Sequence, residues 1–273
     1  MRASISTTRL LALFAHLTFT ALAIEKGLVP GGYRAKTNIH TIPAGGSLAH
    51  VGKGIHILDA SGTVVHVATR TPNSNSVSAI DSSPPHTRSL LSSGWISYVG
   101  WLNPAPPHIS SFTTTWTVPP VPKTDRGQTV FLFNSLLPSA SSSINNRCCR
   151  WYGPSDAGGG SFWSVATWYI DNDDNAFFTP PIPTTPGETL DGIITLTSTN
   201  GSSLNYNSQF TNIPGTSLKV TSVPKPFSFA TEMLEAYNIV DITDYPAGAT
   251  VFTDINVDLV GGGDAEPKVG AGG

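Results

Sequence analysis

An antiparallel two-sheet β-sandwich is the fold the sequence predicts, and three observations predict it. Charged residues are only 12% of the 273-residue chain, which denies helices the Glu and Lys they draw on and leaves β-favouring Thr, Val and aromatic residues prominent. Runs of such residues recur at short spacing between clusters of Pro, Gly and Asn, the pattern of strands joined by turns. Several runs alternate apolar and polar residues with period two, as a sheet with one buried face requires.

Residues 1–23 read as a secretory signal: Arg2 and Arg9 precede the apolar run LLALFAHLTFTALA, and small residues end it at Ala23. The run is shorter than the roughly 20 apolar residues of a membrane span and is interrupted by His16. A secreted, extracellular chain without membrane contact after signal removal is therefore expected.

Residues 24–93 form a basic prosegment and linker. From Ile24 to His108 six Lys or Arg face three acids, whereas from Ile109 onward seven face fifteen. Opposite fields of this kind suit a segment that masks the domain after it, although drift in composition gives the same balance. TNIHTIP alternates, and Asp59-Ala-Ser-Gly62 between two β-rich runs signals a hairpin. Residues 71–94 are polar, Pro-containing and aperiodic, hence a linker open to a processing protease.

Residues 94–260 carry the sandwich. In FTTTWTV, Phe112, Thr114, Trp116 and Val118 share one face, and Pro119-Pro120 stop the strand. TVFLFNSLL, SFWSVATWYI, LDGIITLTS, LNYNSQFTNI, SLKVTSV and ATVFTDINVDLV follow. In the last, Ile255, Val257 and Leu259 point inward and Asp254, Asn256 and Asp258 outward. Residues 229–240, FATEMLEAYNIV, contain good helix formers, but their β-rich surroundings and the lack of a capping box favour a strand. There Glu232 and Glu235 lie on opposite faces, with Glu235 beside Met233 and Tyr237. Residues 261–273 read as a disordered tail.

Chemistry is bounded by absences. All seven histidines lie at or before His108, so the acidic part has no His of its own for a Ser-His-Asp site or an ordinary zinc hydrolase. No metal or cofactor is expected, the acidic balance argues against nucleic acid, and a monomer is expected. Carboxylates remain. Glu25, Glu188, Glu232, Glu235 and Glu266 are all the glutamates; Glu188 reads as a loop charge and Glu266 lies in the tail. Glu232 and Glu235 interrupt an apolar, aromatic run, where burial tunes a carboxyl toward general acid or base work, unless they lie on an exposed face.

The order TTTWTVPPVP, TVFLFNSL, a strand beginning SI, ATWYI, GETLDGIITLTS and ATEMLEAY over residues 94–245 resembles the glutamic peptidases called eqolisins. These carry an ATWVVPS-like strand, a WVGIDG-like strand, ILQTG, YEWYP, ISEGDSI and AEWIVEDF. The resemblance implies a fungal secreted acid protease with a concanavalin A-like (lectin/glucanase type) sandwich and a polypeptide substrate. A glutamate general base would activate water, with an amide holding the oxyanion. It implies Glu235 as the catalytic glutamate, Glu232 as its companion in the motif, and Trp163, Trp168 and Tyr169 as an aromatic substrate wall. Thr167 stands where the family has a glutamate. Where the family has its glutamine, this chain has Asn146, one methylene shorter, and its only glutamines are Gln128 and Gln209. Positioning losses of about 1 Å cost on the order of a hundredfold in rate.

Competing readings are a non-catalytic lectin-like sandwich that binds wall glycans through its tryptophans, and a glycan hydrolase with paired carboxylates. Asn200 in Asn-Gly-Ser is a glycosylation acceptor sequence. Adjacent Cys148 and Cys149 are ill placed to bridge each other and fall short of a metal set. If Asn145–Arg150 is encoded AAC-AAC-CGG-TGC-TGC-AGG, reading from the third base gives Gln-Pro-Val-Leu-Gln, a β-compatible run with the missing glutamine. Sequencing the transcript across residues 140–155 tests this frame or splice error. A shifted frame that yields glutamine is expected, and codons that cannot yield it rule the idea out.

Overall fold

The computed structural model describes residues 24–69, 92–139, 145–152, 157–171, 173–262 and 270–272, with the backbone alone for 92–93, 145–152 and 270–272. The expected signal, nearly all of the expected linker and most of the tail segment lie outside the described residues.

Strands β1 (Lys26–Val29) and β2 (Gly32–Ala35) form a separate hairpin. The N-terminal segment continues through β3 (Ile39–Thr41), β4 (Ser47–Val51), β5 (Gly54–Leu58) and β6 (Val64–Thr69). Then come β7 (Ser92–Leu102), β8 (Ile109–Thr117), β9 (Thr129–Leu137), β10 (Asn145–Tyr152), β11 (Trp163–Ile170), β12 (Ala176–Phe178) and β13 (Ile182–Thr184). The chain ends with β14 (Thr189–Asn200), β15 (Ser203–Phe210), β16 (Leu218–Val223), β17 (Phe229–Ile239), β18 (Phe252–Leu259) and β19 (Gly270–Gly272).

They build the expected two-sheet sandwich. The front sheet runs β19-β7-β17-β9-β10-β11-β12-β3, with β13 also on β11, and the back sheet runs β18-β8-β14-β15-β16-β4-β5-β6. The N-terminal segment completes both: β3 pairs parallel with β12, and β4 pairs parallel with β16. β5 and β6 then extend the back sheet as a hairpin, with the Asp59 carboxylate accepting from the Ser61 and Thr63 amides at 2.9 and 3.0 Å. Three residues of the tail, β19, form an edge strand where composition suggested disorder.

Between the sheets lies the main core. Phe112, Trp116 and Val118 from β8 and the segment after it meet Leu132 from β9, Trp163, Val165 and Tyr169 from β11, and Tyr206 and Phe210 from β15. Their spacing of two follows from the pleat. A sheet that showed its other face to water would alternate in burial. β9 and β11 instead are buried at every position, and β17 at nearly every one. A second apolar cluster explains this: Phe131, Phe133, Trp168, Ile170, Phe178, Met233 and Tyr237 on the outer face are covered by Leu28 and Val29 of β1.

One inward expectation fails. Ile255 is exposed, because Thr253 pairs with Thr115 and Asn256 with Thr113, so an extra residue bulges between them and Asp254 takes φ +50°. Val257 and Leu259, beyond the bulge, pack on the core as expected.

The end of β17 is fixed by Asp244, which is fully buried in the 3-10 turn Ile242–Asp244. Its carboxylate accepts from the amides of Val240 and Asp241 at 2.8 and 2.9 Å, from Arg126 Nη1 at 2.9 Å and from the Thr124 hydroxyl. Removing it strands several partly buried donors. Asp244→Ala is expected to lower the unfolding free energy by about 3 kcal/mol, read from the denaturant midpoint; an unchanged midpoint would contradict this role.

Candidate active site

β17 carries both candidate glutamates, and the strand period separates them. Thr231, Met233, Glu235 and Tyr237 face outward, as their ladder partners Ser135, Phe133, Phe131 and Thr129 on β9 indicate. Glu232 and Leu234 face the back sheet. The two carboxyls therefore cannot act together on one substrate in the same groove, which corrects the reading of Glu232 as a companion catalytic residue.

Glu235 lies where the β17–β7 register shifts by one residue, opposite Phe131 and Trp95. It is 0% exposed. The amide of Gly31, at the tip of the β1–β2 hairpin, donates to both carboxylate oxygens at 2.8 and 3.1 Å, and the Tyr237 hydroxyl donates to Oε1. The tip is a two-residue turn, Pro30-Gly31, between the paired residues Val29 and Gly32. Pro30 presets the first turn position, and Gly31 at φ +89° takes the second, which calls for glycine. That conformation leaves the Gly31 amide outside the ladder and free to reach the carboxylate.

The surrounding groove is aromatic. Phe131 stands edge-on to Tyr237 at 6.4 Å, Tyr33 of the hairpin covers Tyr237 at 5.9 Å, and Trp168 stacks on Phe178 at 4.7 Å. At the rim, Trp95 and Tyr98 of β7 contact each other at 5.8 Å and are 41% and 38% exposed. Arg34 Nε pairs with Asp174 at 2.7 Å and ties the hairpin to the loop between β11 and β12.

Of the expected aromatic wall, only Trp168 belongs to the groove. Trp163 and Tyr169 occupy alternate positions of β11 and lie in the inter-sheet core, a correction imposed by the strand period. Tyr169 meets His50 Nε2 at 2.8 Å, and His40 stacks on Phe177 at 5.1 Å, so the N-terminal segment brings its histidines to the sandwich. Burial pushes both imidazoles below their usual range.

The side chain of Asn146 lies outside the described residues. Its backbone in β10 pairs with Leu136 and Tyr169, both residues of the inter-sheet core, whereas Phe131 and Phe133 pair with Trp151 and Cys149. Gln128 is committed to the turn before β9, accepting from the Arg126 amide at 2.7 Å and donating to the Thr124 carbonyl. Thr167 donates to the Thr216 carbonyl at 2.6 Å. Asn200 is exposed at the β14–β15 turn.

Glu232 has different surroundings. It is 3% exposed, accepts from the Thr114 hydroxyl across the sandwich, and its Oε2 has no hydrogen-bond partner among the described residues. The neighbouring Asn134 amide is likewise unpartnered. Burial pushes the Glu232 carboxyl well up, opposed in part by the Thr114 hydrogen bond. It lines a cleft of about 930 Å3 between β7 and the 242–250 loop, together with Ile96, Leu132, Leu234, Tyr245 and Phe252. The cleft is distinct from the groove at Glu235.

No family model and no curated protein matches the chain. Solved structures do. Scytalido-glutamic peptidase bound to a peptide-based transition-state analogue is 11% identical with a TM-score of 0.42, over 64% of this chain and 83% of that one. SCP-B, an eqolisin peptidase in complex with the tripeptide Ala-Ile-His, is 11% identical with a TM-score of 0.41, over 64% and 83%. The ancestral congerin Con-anc is 13% identical with a TM-score of 0.28, over 61% and 98%.

Because Glu232 favours its protonated form in the fold, its contribution to stability is complete below the ordinary carboxyl range and is lost as pH rises toward its raised value. Glu232→Gln, isosteric and uncharged, is expected to raise the melting temperature by a few degrees at about pH 7 and to change it little near about pH 3.5. An equal shift at both pH values would contradict a buried neutral carboxyl.

Proposed function

We propose that the chain is a secreted, acid-acting endopeptidase of the glutamic class, made in a blocked form, with Glu235 as its general base. The observation that carries this reading is a fully buried carboxyl group on an aromatic sheet face beneath the hairpin, held by a backbone amide and a tyrosine hydroxyl. The order of sequence motifs, which resembles the eqolisins, supports the same assignment.

In the open groove the Glu235 carboxylate takes a proton from a water molecule, whose oxygen adds to the carbonyl carbon of a peptide bond. The proton then passes from the Glu235 carboxyl to the departing amide nitrogen as the C–N bond breaks. The Tyr237 hydroxyl, two residues along on the same face, orients the carboxylate. With the hairpin packed over Glu235 and its Gly31 amide on the carboxylate, a substrate has no access, so the described conformation is the inactive one. Trp95 and Tyr98 give an extended substrate a rim to lie against.

The second reading, a non-catalytic glycan-binding sandwich, is favoured by that exposed aromatic pair, since sugar rings stack on such faces. The test is cleavage of denatured protein at about pH 3 to 5 by the processed chain, wild type and Glu235→Gln. The wild type is expected to cleave, and the variant to lose on the order of a hundredfold or more. Equal cleavage by both contradicts the role of Glu235. No cleavage by either, together with binding to wall glycans, establishes the second reading in its place.

A further inference from the structure

The hairpin does more than cover Glu235; it lies in the groove in the manner of a ligand. β1 and β2 ladder only with each other, so neither sheet's hydrogen-bond ladder depends on them. β3, by contrast, is paired with β12, and β4 with β16. The part of the N-terminal segment that can leave without dismantling the sandwich is thus residues 24–38, joined to β3 through the exposed Lys36 and Thr37. Leu28 and Val29, 6% and 0% exposed, sit consecutively in the cluster formed by Phe131, Phe133, Trp168, Phe178 and Met233. Two residues beyond Val29, the Gly31 amide reaches Glu235.

Building on the peptidase reading, we propose that the hairpin is an internal competitor for the substrate groove. Once it is displaced, the groove takes extended peptides with consecutive aliphatic side chains before the peptide N–H that meets Glu235. Three features support that substrate class. The groove floor is apolar, so a charged or polar side chain placed there loses its hydration without a partner. The hairpin itself supplies a Leu-Val pair to it. The one polar anchor at the tip is a backbone amide, which any peptide possesses, so selectivity falls on the side chains before it.

The experiment uses the full chain with a site-specific protease sequence inserted between Lys36 and Thr37. After cutting, binding of a labelled synthetic peptide spanning Ile24–Lys36 is measured by anisotropy, with far-UV circular dichroism confirming that the sheets persist. The peptide is expected to bind, and its L28S/V29S version to bind at least tenfold more weakly, since each side chain loses its apolar burial. Equal binding by both peptides, or no binding by the cut and folded chain, overturns the proposal. In the uncut chain, L28S/V29S is expected to speed hydrogen exchange at the Gly31 amide at least tenfold, and unchanged exchange also overturns it. Peptide binding without any protein cleavage would refute the peptidase reading while leaving the groove's preference intact. Cleavage that the added wild-type peptide fails to inhibit would do the reverse.

Discussion

A carboxylate removed from water must be given its hydrogen-bond donors by the protein, and for Glu235 the donors come from the hairpin tip and from Tyr237. Burial without them would cost several kcal/mol. This constraint organises the front sheet. The hairpin must be present for the outer face to be dry, and the dry face lets β9, β11 and β17 carry apolar residues on both sides. Leu28 and Val29 add about 1.5 to 3 kcal/mol each by burial, which offsets part of the entropy of holding the hairpin in place.

The two glutamates of β17 show how one strand supports two chemical environments. Three residues apart, they project to opposite faces: Glu235 toward the hairpin that covers the outer face, Glu232 into the space between sheets. Glu235 accepts from a backbone amide and a tyrosine hydroxyl. Glu232 has one hydroxyl donor and an unpartnered oxygen, and burial favours its neutral form. A protein built this way tolerates acid at Glu232. The same acid weakens the contacts of the half-buried His40 and His50, whose burial favours the neutral ring and which belong to the N-terminal segment.

Much of this was legible in the sequence. The sandwich, the Asp59–Gly62 hairpin and the placement of Glu232 and Glu235 on opposite faces follow from period-two patterning and turn chemistry. What was missed depends on pairing rather than on local pattern. Trp163, Trp168 and Tyr169 looked like one aromatic wall, but neighbours in a strand point to opposite sides, and only the register tells which side meets the groove. Ile255 is turned out by a bulge that no turn residue announces. Trp95 and Tyr98 sit in an alternating run, yet their place at the rim depends on β7 pairing with β17. The link between Gly31 and Glu235 spans 204 residues and leaves only a Pro-Gly-Gly turn as its trace.

The central claim is that Glu235 is the working carboxylate and that the hairpin keeps it from solvent. Carbodiimide-driven amidation of carboxyl groups, mapped by mass spectrometry in the intact chain and in the chain with its hairpin displaced, tests this most directly. Both Glu232 and Glu235 should be protected in the intact chain, and displacement should expose Glu235 while Glu232 stays protected. Equal modification of Glu235 in the two states, or exposure of both glutamates together, would contradict the account.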